Sequence, residues 1–576
     1  MKEAATGALN KTLEPHPLNF TSTDCLITVI YYGISLAIGY VLVARVKSST
    51  DFFAAGRELP AWLCALAVVS VSLGAQEVIG IGAAGARYGA VAASFYAFGA
   101  IPAMLFAGLF LLPIYYGSKA RTIPEYLLLR FDQKNHTLNS TLFAVTTLAS
   151  SAISLALMAR IIQALHIFDG LFRAMDWPLP AIFVFSVGVP AILVLGYVLF
   201  GGLRAAIYNQ VLQFAVLVAG LLPLVLTGLK NIGGWSALVA SVFPASQQQL
   251  QSGPHAVVSM ETILAAFALG VVLTSGFWCT DFRILQIPMA AKTIKAASRA
   301  PLLAILPRLL LAALLVVPGL IAISLPTPHT TIVIRQENGA IFHETTIVRP
   351  EVEQGQGLVP ARTEEATGKP SLDANGHPLL DYAMATPNLL LYILPTGLLG
   401  LGLTALVAAL LSSISANLTA FSAVFTLDLY QPRFKKAADD AHLLKTGRWA
   451  AVAFTLLSIG LAYAAFGFGS LYGALLLVFS LVNAPILATF LLGAFWKRAT
   501  SNGAFAGLMA GTLAALLHHG LTLAAAARAG LQGAWIAVLH VYPSELEQAF
   551  WCTIIALSVN AAVTVTVSLF TQAETK

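Results

Sequence analysis

The chain has 576 residues, of which 58% are hydrophobic and only 10% charged, and its mean hydropathy is +0.81. A soluble domain carries about 25% charged residues, so this composition cannot cover a water-facing surface, and the solvent around most of the molecule is lipid. The 32 Lys and Arg outnumber 26 Asp and Glu for a net charge of +6, but the basic residues lie in short segments between apolar runs, the positive-inside pattern, which removes nucleic acid as their explanation.

The first twenty residues are polar, contain Pro15 and Pro17, and lack the ordered basic, apolar and small-residue regions of a cleavable signal peptide. Beyond them, apolar runs occupy residues 24–46, 61–82, 91–116, 138–166, 179–200, 207–228, 261–281, 301–325, 387–428, 449–467, 471–495, 503–523 and 547–570. Each is near or above the ~20 residues that cross a bilayer, which makes about 13 transmembrane helices and an all-α integral membrane protein. The 387–428 stretch is long enough to be a short interfacial helix followed by one spanning helix.

Alternate loops carry the basic residues: Arg45, Lys47 and Arg57; Lys119, Arg121, Arg130 and Lys134; Arg204; Lys292, Lys295 and Arg299; Arg433, Lys435, Lys436, Lys445 and Arg448; Lys497 and Arg498. These loops are expected on the cytoplasmic side. An odd number of spans then puts the N-terminus outside and the C-terminus inside, with 229–260, 326–386 and 524–546 facing out. Residues 326–386 read as a hydrated insert of turns and short strands, Thr331–Arg335 and His343–Val348 among them.

Two spans are interrupted. Ser70-Val-Ser-Leu-Gly-Ala-Gln-Glu-Val-Ile-Gly80 and Thr274-Ser-Gly-Phe-Trp-Cys-Thr-Asp281 place polar residues and glycine within apolar runs. They stand five apart in the series of spans, the spacing of two inverted five-helix repeats that each begin with a discontinuous helix. Carbonyls freed at such a break make good ligands for an ion in a protein-lined cavity. For any single glycine, close helix packing is the plainer explanation. The ninth run, Ala409-Leu-Leu-Ser412-Ser413-Ile-Ser-Ala-Asn417-Leu-Thr419, sets hydroxyls on successive residues and again about a turn later, so one face can offer several hard oxygen donors. Such hydroxyls also commonly bond their own helix carbonyls.

These segments together resemble the sodium/solute symporter family, which contains the sodium/glucose, sodium/proline, sodium/pantothenate and sodium/sialic acid cotransporters. The resemblance runs through Asp51-Phe-Phe-Ala-Ala-Gly-Arg-Glu-Leu-Pro60, Thr122-Ile-Pro-Glu-Tyr126 with Arg130-Phe131, Gly201-Gly-Leu-Arg-Ala-Ala-Ile-Tyr208, Trp278-Cys-Thr-Asp281, Ala290-Ala-Lys292, Ser412-Ser413, Phe425-Thr-Leu-Asp-Leu-Tyr430 and Leu492-Gly-Ala-Phe-Trp-Lys497. It implies a LeuT-like fold with one extra N-terminal and additional C-terminal helices. The parts would be an extracytoplasmic segment 1–23, the extra helix 24–46, a first repeat and start of the second over 61–281, the rest of the second repeat over 301–495 with the insert 326–386, and C-terminal helices over 503–570.

The resemblance also implies a sodium site made by the carbonyls of Ser70, Leu73 and Ala409 and the hydroxyls of Ser412 and Ser413, with Na+ as coupling ion. An Asp that helps bind a second sodium in some relatives is replaced here by Gln210, which argues against a second ion of that type. The solute pocket maps to Gln76, Glu77, Tyr96, Trp278, Asp281 and Arg308, with Leu476 at a further position; this is not the polar set that holds a hexose, and sugar is disfavoured. Glu77 is an intramembrane acid that can bind a cation, exchange a proton or pair with a protein cation; Arg308 can grip a carboxylate or snorkel. Asp281 suits a helix cap.

The expectation is a multi-pass symporter of the plasma membrane, in a bacterial inner membrane, importing a small organic solute with sodium by alternating access. A solute-sensing receptor acting through a separate partner and a proton-coupled carrier using Glu77 are the alternatives. The sequence contains no His-Glu metal motif and no nucleophile with a nearby base, so an enzyme is not expected. Cys25, Cys64, Cys279 and Cys552 form no metal or disulfide pattern.

Overall fold

The computed structural model describes residues 21–89, 91–164, 179–242, 260–326, 332–337, 340–345, 355–362, 372, 378–465, 471–524, 530, 532–543 and 545–571. Most of the expected segment 1–23 lies outside them.

Helix α1 (Ser22–Leu42) is the extra N-terminal helix. Its start is fixed by Asp24, whose buried carboxylate accepts hydrogen bonds from the Thr21 N–H at 2.9 Å and hydroxyl at 2.8 Å. The same carboxylate accepts from the N–H groups of Gly397 and Gly400, at 2.8 and 2.7 Å. One anion therefore serves the unpaired N–H groups at the starts of two helices, where the helix dipoles also favour negative charge. After the basic loop, α2 (Ser49–Ala54) opens in a capping box: the Ser48 hydroxyl accepts from the Asp51 N–H at 3.1 Å, and the Asp51 carboxylate from the Ser48 N–H at 3.0 Å.

The first interrupted span is two helices, α3 (Ala61–Val71) and α4 (Ala75–Tyr88), separated by Ser72, Leu73 and the extended Gly74. The glycines of α4 answer to packing: a side chain on Gly85 would meet the Val316 carbonyl, and one on Gly319 would meet the Gly82 carbonyl. Next come α5 (Val91–Gly117), α6 (Ile123–Arg130) and α7 (Gln133–Ala164). Within α5, π-helical turns at Ser94–Phe98 and Ala107–Leu111 rotate the helix locally. Helix α8 (Leu179–Ile232) changes direction at Gly202, which has φ 58° and whose Cβ would lie 2.7 Å from the Phe52 carbonyl oxygen, so only glycine fits the corner.

The second interrupted span is α9 (Met260–Thr280) and α10 (Phe282–Met289), broken at Asp281. It is followed by α11 (Ile294–Ser324), the antiparallel hairpin β1 (Ile332–Glu337) and β2 (Ala340–Thr345), the short α12 (Ala385–Ile393), α13 (Leu398–Val424), α14 (Asp440–Ala465) and α15 (Leu471–Phe495). Two further helices, α16 (Ser501–Leu521) and α17 (Glu545–Phe570), pack on each other.

Among the described residues ten helices are long and apolar enough to cross a membrane. Helix α8 is one of them and passes twice, on either side of Gly202, and the two broken helices add a crossing each, so the described residues hold thirteen. After the extra helix, two sets of five each begin with a broken helix, the arrangement expected of inverted repeats. Several helices reach past their apolar cores: α7 begins at Gln133, α11 at Ile294 and α14 at Asp440. Hydropathy marks the lipid-facing length, whereas helix ends are set by caps such as Thr293, whose hydroxyl accepts from Ala296 N–H at 3.1 Å.

The basic loops gather at one end of the bundle. The Lys292 N–H donates to the Leu59 carbonyl at 3.0 Å and the Leu59 N–H to the Ala290 carbonyl at 3.3 Å, Arg57 donates to the Ala120 carbonyl at 2.9 Å, and Arg130 to the Gly493 carbonyl at 2.7 Å. The insert differs from expectation in two ways. Its strands pair Ile332 with Thr345 and Glu337 with Ala340, so they extend to 336–337 and 340–342 beyond the expected 331–335 and 343–348, of which 331 and 346–348 lie outside the described residues. Part of it is not hydrated: Leu358 and Val359 are buried, and the Leu358 N–H donates to the Ala322 carbonyl at 2.8 Å, closing over the end of α11. An apolar Leu-Val-Pro-Ala run gains from that burial.

Candidate functional site

The first break faces α13. The Ser70 and Ser412 hydroxyls are 3.0 Å apart, and Leu73, Ala409, Ser412 and Ser413 are all buried at this junction. Residues over 300 positions apart thus bring two neutral hydroxyl oxygens together. This donor chemistry suits a small, hard monovalent cation, because neutral oxygens can replace its water without the geometric demands of a divalent ion.

Arg308, three per cent exposed, reaches the break from α11. Its Nη1 donates to the Ser72 hydroxyl at 3.0 Å and its Nη2 to the Tyr96 carbonyl at 3.4 Å. Its guanidinium carbon lies 4.4 Å from the centre of the Tyr96 ring and 5.2 Å from that of Trp278. Arg308 therefore does not snorkel; cation–π contacts and two hydrogen bonds hold it in the protein interior. The π-helical turn Ser94–Phe98 carries Tyr96. Glu77, in the first turn of α4, is half-buried, and its Oε2 is buried with no hydrogen-bond partner among the described residues. Gln76 precedes it in the same turn, but its side chain, like that of Leu476, lies outside the described residues.

Asp281 stands at the second break. Its carboxylate accepts the Arg283 N–H at 2.9 Å, capping α10, and forms a buried ion pair with the Arg283 guanidinium. Both carboxylate oxygens accept from the Arg283 guanidinium. Arg283, which sequence reasoning did not single out, also donates to the Ser150 hydroxyl at 3.0 Å and to Asn417 Oδ1 at 3.1 Å, and sits over the Phe479 ring at 5.0 Å. It ties the second break to α7 and α13. Each broken helix is thus held at its interruption by an arginine: Arg308 at Ser72, Arg283 at Asp281.

Two other polar groupings lie beside α13. Gln210 Nε2 is 3.2 Å from the Ser415 hydroxyl, a neutral contact between α8 and α13. Toward the basic end, Asp428 accepts from the Thr122 hydroxyl at 2.7 Å and lies 3.0 Å from His136 Nε2, with both side chains buried. Among the described residues no group of three or more His, Cys, Asp or Glu could hold a metal ion.

The sodium:solute symporter family model matches residues 52–353 and 357–511. The chain is 28% identical over 508 residues to the sodium/glucose cotransporter of Vibrio parahaemolyticus, covering 86% of this chain and 84% of that protein. It is 27% identical over 529 residues to sodium/myo-inositol cotransporter 2 of Mus musculus, covering 88% and 70%. A solved Na+-coupled sialic acid symporter, in a substrate-bound outward-open state, superposes with a TM-score of 0.67 at 18% identity, covering 97% of this chain and all of that one. The fold is therefore LeuT-like, and with a family match across most of its length the chain belongs to the sodium:solute symporter family, as a multi-pass membrane transport protein and not an enzyme.

Proposed function

We propose that the protein carries a small organic solute into the cell together with sodium, by alternating access across the plasma membrane. The observation that carries this reading is the meeting of Ser70 with Ser412 at 3.0 Å, at the interruption of the first core helix. Sodium would be held there by the carbonyls of Ser70, Leu73 and Ala409 and the hydroxyls of Ser412 and Ser413, bracing α3 against α13. Bracing favours the arrangement that completes the solute pocket around Glu77, Tyr96, Trp278 and Arg308. Solute and sodium then raise each other's affinity by reciprocal linkage. Each sodium adds about 2.3 kcal/mol per 100 mV of membrane potential to the driving force.

The gathering of the basic loops at one end supports a cytoplasmic position for that end, with the N-terminus outside and the C-terminus inside. One sodium per cycle is favoured: the Gln210 amide beside Ser415 supplies no negative charge for a second ion. The resemblance to glucose and myo-inositol cotransporters gives a second reading, a neutral polyol as solute. The test is uptake into proteoliposomes under an imposed sodium gradient, with choline as control and Ser413→Ala in parallel. Solute accumulation that follows the sodium gradient and is lost in the variant supports the reading; accumulation indifferent to sodium overturns it.

A further inference from the structure

Charge accounting inside the bundle narrows the solute. Of the four ionisable residues near the two helix breaks, Asp281 and Arg283 neutralise each other. Glu77 and Arg308 have no such partner: no ion pair within 4 Å joins either to a described residue, although α4, which carries Glu77, packs against α11, which carries Arg308, and both Arg283 and Arg308 are within electrostatic reach of Glu77. An acid and a base kept apart in a low-dielectric interior are each costly, and direct pairing would be the ordinary remedy.

The unmet hydrogen-bonding atoms follow the same division. Glu77 Oε2 is a buried acceptor without a partner among the described residues. Around Arg308, the Arg308 Nε, the Trp278 Nε1 and the Tyr96 hydroxyl are buried and likewise unmet. The indole and guanidinium atoms can only donate. Glu77 is also within electrostatic reach of Tyr96. One side of the site therefore wants a donor, and the other offers at least two N–H donors beside a fixed positive charge. Buried polar groups are ordinarily satisfied, and a cluster left open in this pattern outlines the chemistry of what fills it.

We infer that the solute is a small zwitterion, with its cationic nitrogen directed to Glu77 and its carboxylate to Arg308 and the Trp278 N–H. The inference rests on the symport reading for the location of the pocket. A neutral polyol satisfies the hydrogen bonds but leaves both protein charges uncompensated. A simple monoanion meets Arg308 and adds a second negative charge near Glu77. A zwitterion bridges the two charges and leaves the site's net charge unchanged, so the coupled sodium remains the charge that moves.

The test is thermal stabilisation of the full chain in nanodiscs, in sodium and in choline buffer. The probes are the proteinogenic amino acids and glycine betaine, matched 2-hydroxy acids lacking the nitrogen, matched amines lacking the carboxylate, and glucose and myo-inositol. Stabilisation by a zwitterion, with both truncated analogues weaker by about ten- to a hundredfold in apparent affinity, is the expected result. Glu77→Gln should weaken the zwitterion by a similar factor while leaving the matched 2-hydroxy acid unchanged or tighter, a reversal that general loss of structure cannot produce. Sodium-dependent stabilisation by a polyol or a monoanion, with every zwitterion silent, overturns the inference and leaves symport standing. Stabilisation by a zwitterion equally in sodium and choline upholds the inference and overturns sodium coupling. Silence from every probe in wild type overturns the inference, while Ser413-dependent stabilisation by sodium alone still supports the ion site.

Discussion

The hydroxyl of Ser70 lies 3.0 Å from that of Ser412, the one at the end of α3 and the other midway along α13. Replacing Ser412 or Ser413 with Ala removes an oxygen from this junction with little change of volume. We expect loss of the Ser70 contact in Ser412→Ala to cost about 1 kcal/mol of stability, within reach of detergent-solubilised folding. Sodium titrations followed by thermal shift should lose their saturation in both variants. Saturation at the wild-type sodium concentration in both would remove these hydroxyls from the ion site.

Arg308→Lys keeps the charge but not the planar fork that reaches Ser72 and Tyr96 together. Solute affinity is expected to fall about tenfold, with sodium binding largely retained. Isothermal titration with and without solute separates the two; an equal loss of both would make Arg308 a brace of the break and not a solute contact.

Asp281→Asn breaks the ion pair with Arg283 and leaves a buried guanidinium without its counter-charge. Loss of one partner of a buried pair costs about 3–5 kcal/mol. A marked fall in melting temperature is expected, along with poor expression, and the double variant Asp281→Asn with Arg283→Met should recover part of it. Asn can still cap α10, so no recovery would mean that the lost counter-charge is not the source of the destabilisation.

Asp51 offers a pH prediction outside the membrane. Burial opposes its ionisation, but hydrogen bonds from Ser48 and Lys47, with Arg204 nearby, outweigh it and hold the carboxyl below the ordinary value of 3.8. A lowered carboxyl contributes stability that is present above its unfolded value and is lost as pH falls through its folded one. Protection factors of the amides in residues 48–54, taken relative to the intrinsic rate at each pH, should therefore fall on acidification through that range, and Asp51→Asn should be less protected at neutral pH with less further change. Protection in wild type that ignores acid would rule out the capping box as the lock on this segment.

Much of this architecture was legible in the sequence because the bilayer imposes a length on every span and confines interruptions to places that can satisfy a bare backbone. The interruption near Ser70 and the hydroxyl-bearing face at Ser412 and Ser413 were visible in the residues themselves, but joining them with Leu73 and Ala409 into one set came from the resemblance to the family. Arg283 could not be singled out either way. Its value depends on the helix restarting at Phe282, which turns an Asp and an Arg two residues apart into a cap and an ion pair. The apolar content of 61–82 located the first span but not its continuation to Tyr88, because the glycines of α4 face Val316 and Gly319 of a distant helix, a pairing invisible to local periodicity. Leu358 and Val359 looked like loop residues for the same reason: only the folded end of α11 gives them something to cover.

The carboxylate of Asp24 has a mechanical consequence. By binding the N–H groups of Thr21, Gly397 and Gly400 at once, it makes the leading turns of α1 and α13 a single joint. Any rocking that separates α3 from α13 must then drag the accessory helix along on the α13 side, so this one of the three crossings outside the twofold plan travels as ballast of one moving body and not as a bystander in the lipid.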